Sequence, residues 1–252
     1  MNKRNDMKPS LISCIVPVFN GERYLRETLN SILEQTYRPS EIVVADDGST
    51  DGTPKVVAEY NETVSYLWQP NAGPAAARNL GLSAAQGEFV AFLDADDLWH
   101  PEKLARQMAR FHARPELDFC ITHVQNFWIP ELVEEKKQFR NHRRSKPLPG
   151  YVTHTLLARR TLFEKIGQFN TALRHCDDTE WFLRAMEHGA VMELLPDVLV
   201  YRRLHHSNLS RRHSSASVDE YLRFVKASLD RRRRHSATSS ESCKFPKSDK
   251  SD

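Results

Sequence analysis

Ile42-Val43-Val44-Ala45-Asp46-Asp47-Gly48-Ser49 and, further along, Phe89-Val90-Ala91-Phe92-Leu93-Asp94-Ala95-Asp96-Asp97 share one construction, a short apolar run that ends on crowded carboxylates. An apolar β-rich run of this length, closed by turn residues, reads as a buried parallel strand, and in open α/β sheets ligands gather beyond the carboxyl ends of such strands. Carboxylates crowded there repel one another and stay ionised only where water, hydrogen-bond donors or a cation offsets the repulsion. A divalent cation does so best, and hard oxygen ligands suit Mg2+ or Mn2+. The two stretches together predict an α/β sheet with a metal and nucleotide site at its strand ends.

Working outward, the chain alternates strand and helix. Residues 11–16 read as a first strand, and Leu25, Leu29, Ile32 and Leu33 then recur at helical spacing. After the strand at 42–45, Asp51 is a candidate cap and Pro54 suits the first turn of the next helix, where its missing N–H costs nothing. A strand at 64–68, an alanine-rich helix at 74–85 and a strand at 89–93 follow. This rhythm implies a mostly parallel central sheet with helices on both faces. Past Asp97 the pattern loosens: a helix from near Pro101 carries Leu104, Met108 and Phe111, and a strand is expected at 117–123. A helix at 179–188 stops at Gly189, and two strands read at 191–195 and 198–203. Residues 131–149 are highly charged without a clear period, which predicts a long loop or flexible excursion of the kind that handles substrate.

The chain has 252 residues, 40% of them apolar, enough for one sizeable domain. We place that domain at 11–211, with a nucleotide-binding half at 11–100 and an acceptor half at 101–211. Residues 1–10 read as a flexible N-terminus. Residues 212–252 read as an amphipathic stretch (Val218, Leu222, Val225, Leu229), the basic run 231–234 and a disordered Ser/Lys-rich tail. The net charge of +3 lies mostly in that tail and does not argue for nucleic acid. Cys14, Cys120, Cys176 and Cys243 lack metal-ligand or disulfide-framework spacing, which fits a reducing compartment. Residues 1–10 lack an apolar signal core, and no run approaches the roughly 20 residues of a membrane span. The expectation is a cytoplasmic protein. The basic tail either contacts the inner face of a membrane peripherally or is a solvated terminus.

Each motif taken alone admits a plain alternative. Asp94-Ala95-Asp96-Asp97 can hold a metal and diphosphate, or simply cap the helix that follows. Asp46-Asp47-Gly48-Ser49-Thr50-Asp51 can accept a base N–H or a ribose hydroxyl, or serve as turn and cap. In Asn71-Ala72-Gly73-Pro74 through Arg78-Asn79, small residues permit close backbone approach, and Arg78 can pair with phosphates or bridge acidic strand ends. Asp177-Asp178-Thr179-Glu180-Trp181 opens a helix, so its carboxylates either act as a general base or cap the helix. His205 can ligate a metal or sit idle on the surface.

In order along the chain, Val16-Pro17-Val18-Phe19-Asn20, Asp46-Asp47-Gly48-Ser49-Thr50-Asp51, Asn71-Ala72-Gly73 with Arg78-Asn79-Xaa-Gly81, Phe92-Leu93-Asp94-Ala95-Asp96-Asp97, Asp177-Asp178-Xaa-Glu180-Trp181 and Arg203-Xaa-His205 resemble the family 2 glycosyltransferases. These are inverting enzymes of the glycosyltransferase A fold, a single α/β domain with a Rossmann-like nucleotide-binding half. The resemblance implies that Pro17, Val18 and Phe19 line a nucleotide pocket, that Asp46 meets the base, and that Asp94 approaches the ribose, with Asp47, Gly73 and Arg78 around them. It implies that Asp96 binds Mn2+ or Mg2+, with Asp97 and His205 as helpers, and that Asp178 is the general base. Asp177 stands where the family often has Glu, which loosens the role of that position alone. The implied reaction moves a sugar from a nucleoside diphosphate donor, expected to be a uridine diphosphate sugar, to a glycan or lipid-linked acceptor. Two other readings compete: a catalytically silent nucleotide-sugar-binding scaffold and a sugar nucleotidyltransferase. The late acidic pair argues against the second, whose chemistry needs phosphate-binding cations more than a base.

Overall fold

The computed structural model describes residues 10–211, 218 and 220–230. The chain divides into two units, Met1–Arg212 and His213–Asp252. In the first, β1 (Ile12–Val18), α1 (Leu25–Leu33), β2 (Glu41–Asp46), α2 (Thr53–Ala58), β3 (Val64–Trp68), α3 (Pro74–Ala84) and β4 (Phe89–Phe92) alternate as the apolar rhythm predicts. They are followed by β5 (Leu98–Trp99), α4 (Lys103–Ala113), β6 (Phe119–Trp128), α5 (Val133–Gln138), β7 (Leu148–Pro149), β8 (Leu157–Arg159), α6 (Arg160–Ile166), α7 (Asp177–Glu187) and β9 (Met192–Leu204).

Among the described residues these strands form one sheet in the order β3-β2-β1-β4-β8-β6-β9-β5, with β7 on β6. Strands β3, β2, β1 and β4 are mutually parallel, β8 enters antiparallel to both β4 and β6, and β9 runs parallel to β6. The sheet is thus parallel in its first half and mixed beyond. Alternation along β1 divides the core: Cys14, Val16 and Val18 pack with α1, α2 and α4 on one face, while Ile15 joins α3, α6 and α7 on the other. Helices therefore cover both faces. The register sets Val18 opposite Asp46 and Ile15 opposite Phe92, so the carboxyl ends of β1, β2 and β4 open on one edge.

The structure differs from the sequence reading in three places. The strands expected at 191–195 and 198–203 are one strand, because β6 pairs with Leu195 and then with Val198 across a bulge that holds Pro196 and Asp197. A proline cannot donate to the ladder, and a bulge absorbs it without ending the strand. Residues 131–149 fold into short turns, α5 and β7; Ser145 Oγ donates toward the carbonyls of Phe139, Arg140 and His142 at 2.7, 3.0 and 2.8 Å. Side-chain bonds of this kind leave no periodic signal in sequence. The three-residue β8 and the helix after it were invisible for the same want of length. The segments 1–9 and 231–252, read as flexible, lie outside the described residues. In the second unit residues 220–230 are helical, with Leu222 and Leu229 exposed. No helix among the described residues is long and apolar enough to cross a membrane.

Candidate active site

The loop after β1 and the loop after β2 are stitched together. Asn20, at a positive φ of 54°, donates its N–H to Ser49 Oγ at 2.8 Å and accepts from Thr50 N–H through Oδ1 at 2.8 Å. Pro17 and Val18 are buried beneath this seam, and Phe19 is exposed beside it. Asp46 is fully buried and accepts from Ser49 N–H at 2.7 Å and Tyr66 O–H at 2.7 Å. Burial and that bond to a carboxylate push the Tyr66 phenol well above its ordinary range. Asp47 works differently. Its carboxylate accepts from Gln69 Nε2, Ala72 N–H and Gly73 N–H at 2.7, 2.9 and 2.8 Å, so it sets the shape of the loop that enters α3. Gly73 takes φ 100°, which favours glycine. Asp51 accepts from Thr53 N–H at 3.0 Å, but the cap position of α2, where the sequence suggested Asp51, is occupied by Gly52.

Past β4 the chain turns through 94–97, and its three carboxylates separate, Asp96 toward His205 and Asp94 with Asp97 toward His154. Asp96 Oδ2 lies 2.8 Å from His205 Nε2 and accepts from Asn208 Nδ2 at 3.1 Å. Asp97 is buried; its Oδ1 accepts from Arg203 N–H at 2.9 Å and its Oδ2 lies 3.2 Å from His154 Nδ1. Asp94 Oδ2 lies 3.2 Å from the same nitrogen, and Asp94 Oδ1 accepts from Arg78 at 3.1 Å. Burial, then the charges of Asp96 and Asp94, hold the Asp97 carboxyl well above its usual range. Burial alone would raise Asp94 too, but the Arg78 guanidinium and His154 outweigh it and hold Asp94 low.

Arg78 spans the two halves of the domain. It is buried on α3, with one arm of its fork on Asp94 and the other on Asp177 Oδ2 at 2.5 Å. Those anions overcome its desolvation and raise an already high pKa. Its neighbours in the Arg78-Asn79-Leu80-Gly81 stretch finish the joint. Asn79 exchanges hydrogen bonds with the backbone of Phe169 at 2.8 and 3.0 Å, and the Phe169 ring lies 5.9 Å from the Arg78 guanidinium. A Cβ on Gly81 would stand 2.3 Å from Ile15 Cγ2, so only glycine lets α3 approach β1 this closely. Next to Asp177, the half-buried Asp178 has its carboxyl pushed up to about 6 by burial and by the Asp177 charge, with Arg78 opposing. Its Oδ1 accepts from Thr179 N–H at 2.6 Å. The buried Trp181 anchors this helix start by stacking on Phe163 at 4.6 Å.

The family model for glycosyl transferase family 2 matches residues 13–181. The chain belongs to this family. An uncharacterized glycosyltransferase of Rickettsia typhi is 31% identical over 218 residues, which cover 81% of this chain and 66% of that protein. Among solved structures, residues 1–349 of S. aureus TarS in complex with UDP superpose with a TM-score of 0.67 at 23% identity, covering 87% of this chain and 65% of that one. The same protein in complex with UDP-GlcNAc gives 0.64 at 25% identity, covering 81% and 61%. The mannosyltransferase PcManGT from Pyrobaculum calidifontis, in complex with GDP-Man and Mn2+, gives 0.61 at 26% identity, covering 79% and 58%. The chain thus spans between 58% and 66% of the length of these relatives.

In this member of family 2 the structure joins Arg78, Asp94 and Asp177 and joins Asp96 and Asp97 to the 203–205 stretch, and it sorts the acidic residues of 94–97 into two groups. Asp96 meets His205, whereas Asp97 faces inward with Asp94 and His154. The donor atoms of those last three lie within 4.8 Å of one another. Two carboxylate oxygens and an imidazole nitrogen at that spacing fit a hard or borderline divalent cation. His154 has no counterpart in the sequence reading, since a lone histidine between two threonines carries no motif. Its placement comes from three successive carbonyls: those of His154, Thr155 and Leu156 accept from Trp99 Nε1, Gln107 Nε2 and Lys103 Nζ at 2.9, 2.9 and 3.4 Å. Burial pulls the Lys103 ammonium down to about 7.

Proposed function

We propose that the protein transfers a glycosyl group, with inversion, from a uridine diphosphate sugar to a hydroxyl of a glycan or lipid-linked acceptor. One observation carries this reading: the Arg78 fork ties Asp94 at the acidic strand end to Asp177, the residue before the raised carboxyl of Asp178. A base poised near neutrality and a phosphate-side cation site are the two groups that a displacement at an anomeric carbon requires. The acceptor hydroxyl oxygen attacks that carbon from the face opposite the diphosphate. The bond to the departing phosphate oxygen breaks with its electron pair, and the hydroxyl proton passes to Asp178, whose Oδ1 accepts from Thr179 N–H.

Pro17, Val18, Phe19 and Asp46 line the nucleotide side in this reading, with Asp47 and Gly73 shaping the loop that closes it. Mn2+ or Mg2+ would be held by Asp94, Asp97 and His154, or by Asp96 as the resemblance implies, and would supply countercharge to the diphosphate. His205, 2.8 Å from Asp96 Oδ2, would fix the orientation of that carboxylate. The ligands named for the solved relatives, UDP-GlcNAc in one and GDP-Man with Mn2+ in another, are of the same chemical class and support the donor half.

Calorimetric titration with uridine diphosphate, with and without Mn2+ and repeated on Asp96→Ala, tests the proposal. Metal-dependent binding that Asp96→Ala loses is the expected result. Absence of binding under every condition, with guanosine and thymidine diphosphates alongside, would overturn it and favour a silent scaffold.

A further inference from the structure

The excursion at 131–149 carries uncompensated positive charge. Each of its three carboxylates is already spent: Glu131 pairs with Arg23, Glu134 with Lys137 at 2.7 Å, and Glu135 with Arg211 at 2.5 Å. By contrast Lys136, Arg140, Arg143 and Lys146 are exposed and have no ion-pair partner among the described residues. A run of cations is commonly a solvated face. Here two of them, Lys136 and Arg140, line a cavity of about 310 Å³ whose remaining wall includes Phe127, Trp128 and the amides of Gln125 and Asn126. Those amides are not free to drift. Gln125 Nε2 donates to Ser145 O at 3.0 Å and Asn126 Nδ2 to Arg144 O at 2.9 Å, so the excursion is clamped to β6 with its cations at the rim.

One wall residue, Phe127, is linked to the acidic strand end through Arg203. Phe127 stands opposite Arg203 in the β6–β9 ladder, with the Arg203 guanidinium 4.8 Å from its ring. Arg203 in turn donates its N–H to Asp97 and its Nε to Asp96 O at 3.0 Å. Cations on a preformed wall recognise a tetrahedral anion by charge-assisted hydrogen bonds, and an aromatic wall beside them accepts the apolar face of a sugar ring or chain.

We propose that this cavity is an acceptor subsite for a phosphate group, so that the acceptor is a phosphate-bearing molecule whose anion lies between Lys136 and Arg140. The inference rests on the transferase reading above and names the class of its acceptor. The phosphate belongs either to a soluble phosphodiester chain or to a lipid headgroup, and both present the same anion.

Binding by the full chain, with UDP and Mn2+ present to occupy the donor side, is measured against two probes. One is a soluble glycerol-phosphate oligomer; the other is phosphatidylcholine vesicles doped with phosphatidic acid, with pure phosphatidylcholine as control. Lys136→Gln combined with Arg140→Gln should weaken binding at least about tenfold, while Lys136→Arg combined with Arg140→Lys should retain it. Charge-dependent binding of the oligomer assigns the anion to a soluble chain, and charge-dependent binding of the vesicles alone assigns it to a lipid. Equal affinity of the native chain and the glutamine variant, or no binding of either probe, overturns the subsite. UDP binding in the glutamine variant reports that it is folded. Failure of UDP binding in the native chain overturns the donor reading instead, and the two failures are thereby distinct.

Discussion

Asp178 is the residue at which stability and chemistry pull in opposite directions. Its carboxyl is raised to about 6, so the folded chain binds its proton more tightly than the unfolded chain does. The stability this group contributes is present below the ordinary carboxyl pKa and is lost as pH rises through about 6. Asp178→Asn removes a buried charge at pH 7.5 and should stabilise the protein by about 1–3 kcal/mol there, with the gain vanishing near pH 4. The same substitution should lower turnover by about 10²–10⁴-fold. In the native chain, turnover should fall tenfold per pH unit below about 6. Thermal denaturation at two pH values and a rate profile check both halves. A variant that loses turnover without gaining stability at pH 7.5 would place the shifted carboxyl elsewhere.

Among the elements, α7 shows how a helix start is aimed. Its polar first turn carries Asp177 and Asp178, and one turn on, Trp181 sinks into a cluster with Phe119, Phe163, Phe169 and Phe182. Trp181→Ala should cost about 3–5 kcal/mol, read as a lowered denaturation midpoint. Because the aromatic cluster fixes the angle at which α7 leaves the core, the variant should also lose the raised pKa of the rate profile. Elements of this length were legible in the sequence: α3 and α7 declare themselves by apolar spacing and by Pro74 and Gly189 at their ends. The excursion around α5 and the three-residue β8 were not. They are held by Ser145, by β6 and by neighbours distant in sequence, and too few residues repeat for a period to form.

At the scale of the whole molecule, what the sequence displayed was the list of motifs, and what it withheld was how they meet. Nothing in the spacing of Asp94, Asp97 and His154 says that three carbonyls after β7 are hung from Trp99, Gln107 and Lys103. Pairings of that kind are settled by the packing of α4 against the sheet. A ligand that binds only this assembled state must stabilise the entire domain. UDP with Mn2+ at about a hundred times its dissociation constant should add about 2.7 kcal/mol and raise the denaturation midpoint by about 5–10 °C. A chelator should return the midpoint to its starting value, and Asp96→Ala should show no rise. A rise that survives the chelator would separate nucleotide binding from the cation.

Arg78 and Asp177 are separated by 99 positions along the chain. At ordinary rates of translation, the ribosome reaches the second about 5–20 s after the first. A nascent chain therefore displays its strand-end carboxylates while the arginine meant to sit between them is still short of one partner. The carboxyl group that Arg78 restrains is among the last parts of the site to be synthesised, so a chain stalled between the two carries the acidic strand end without Asp177, without the base proposed at Asp178, and without Arg203 and His205, which hold Asp97 and Asp96.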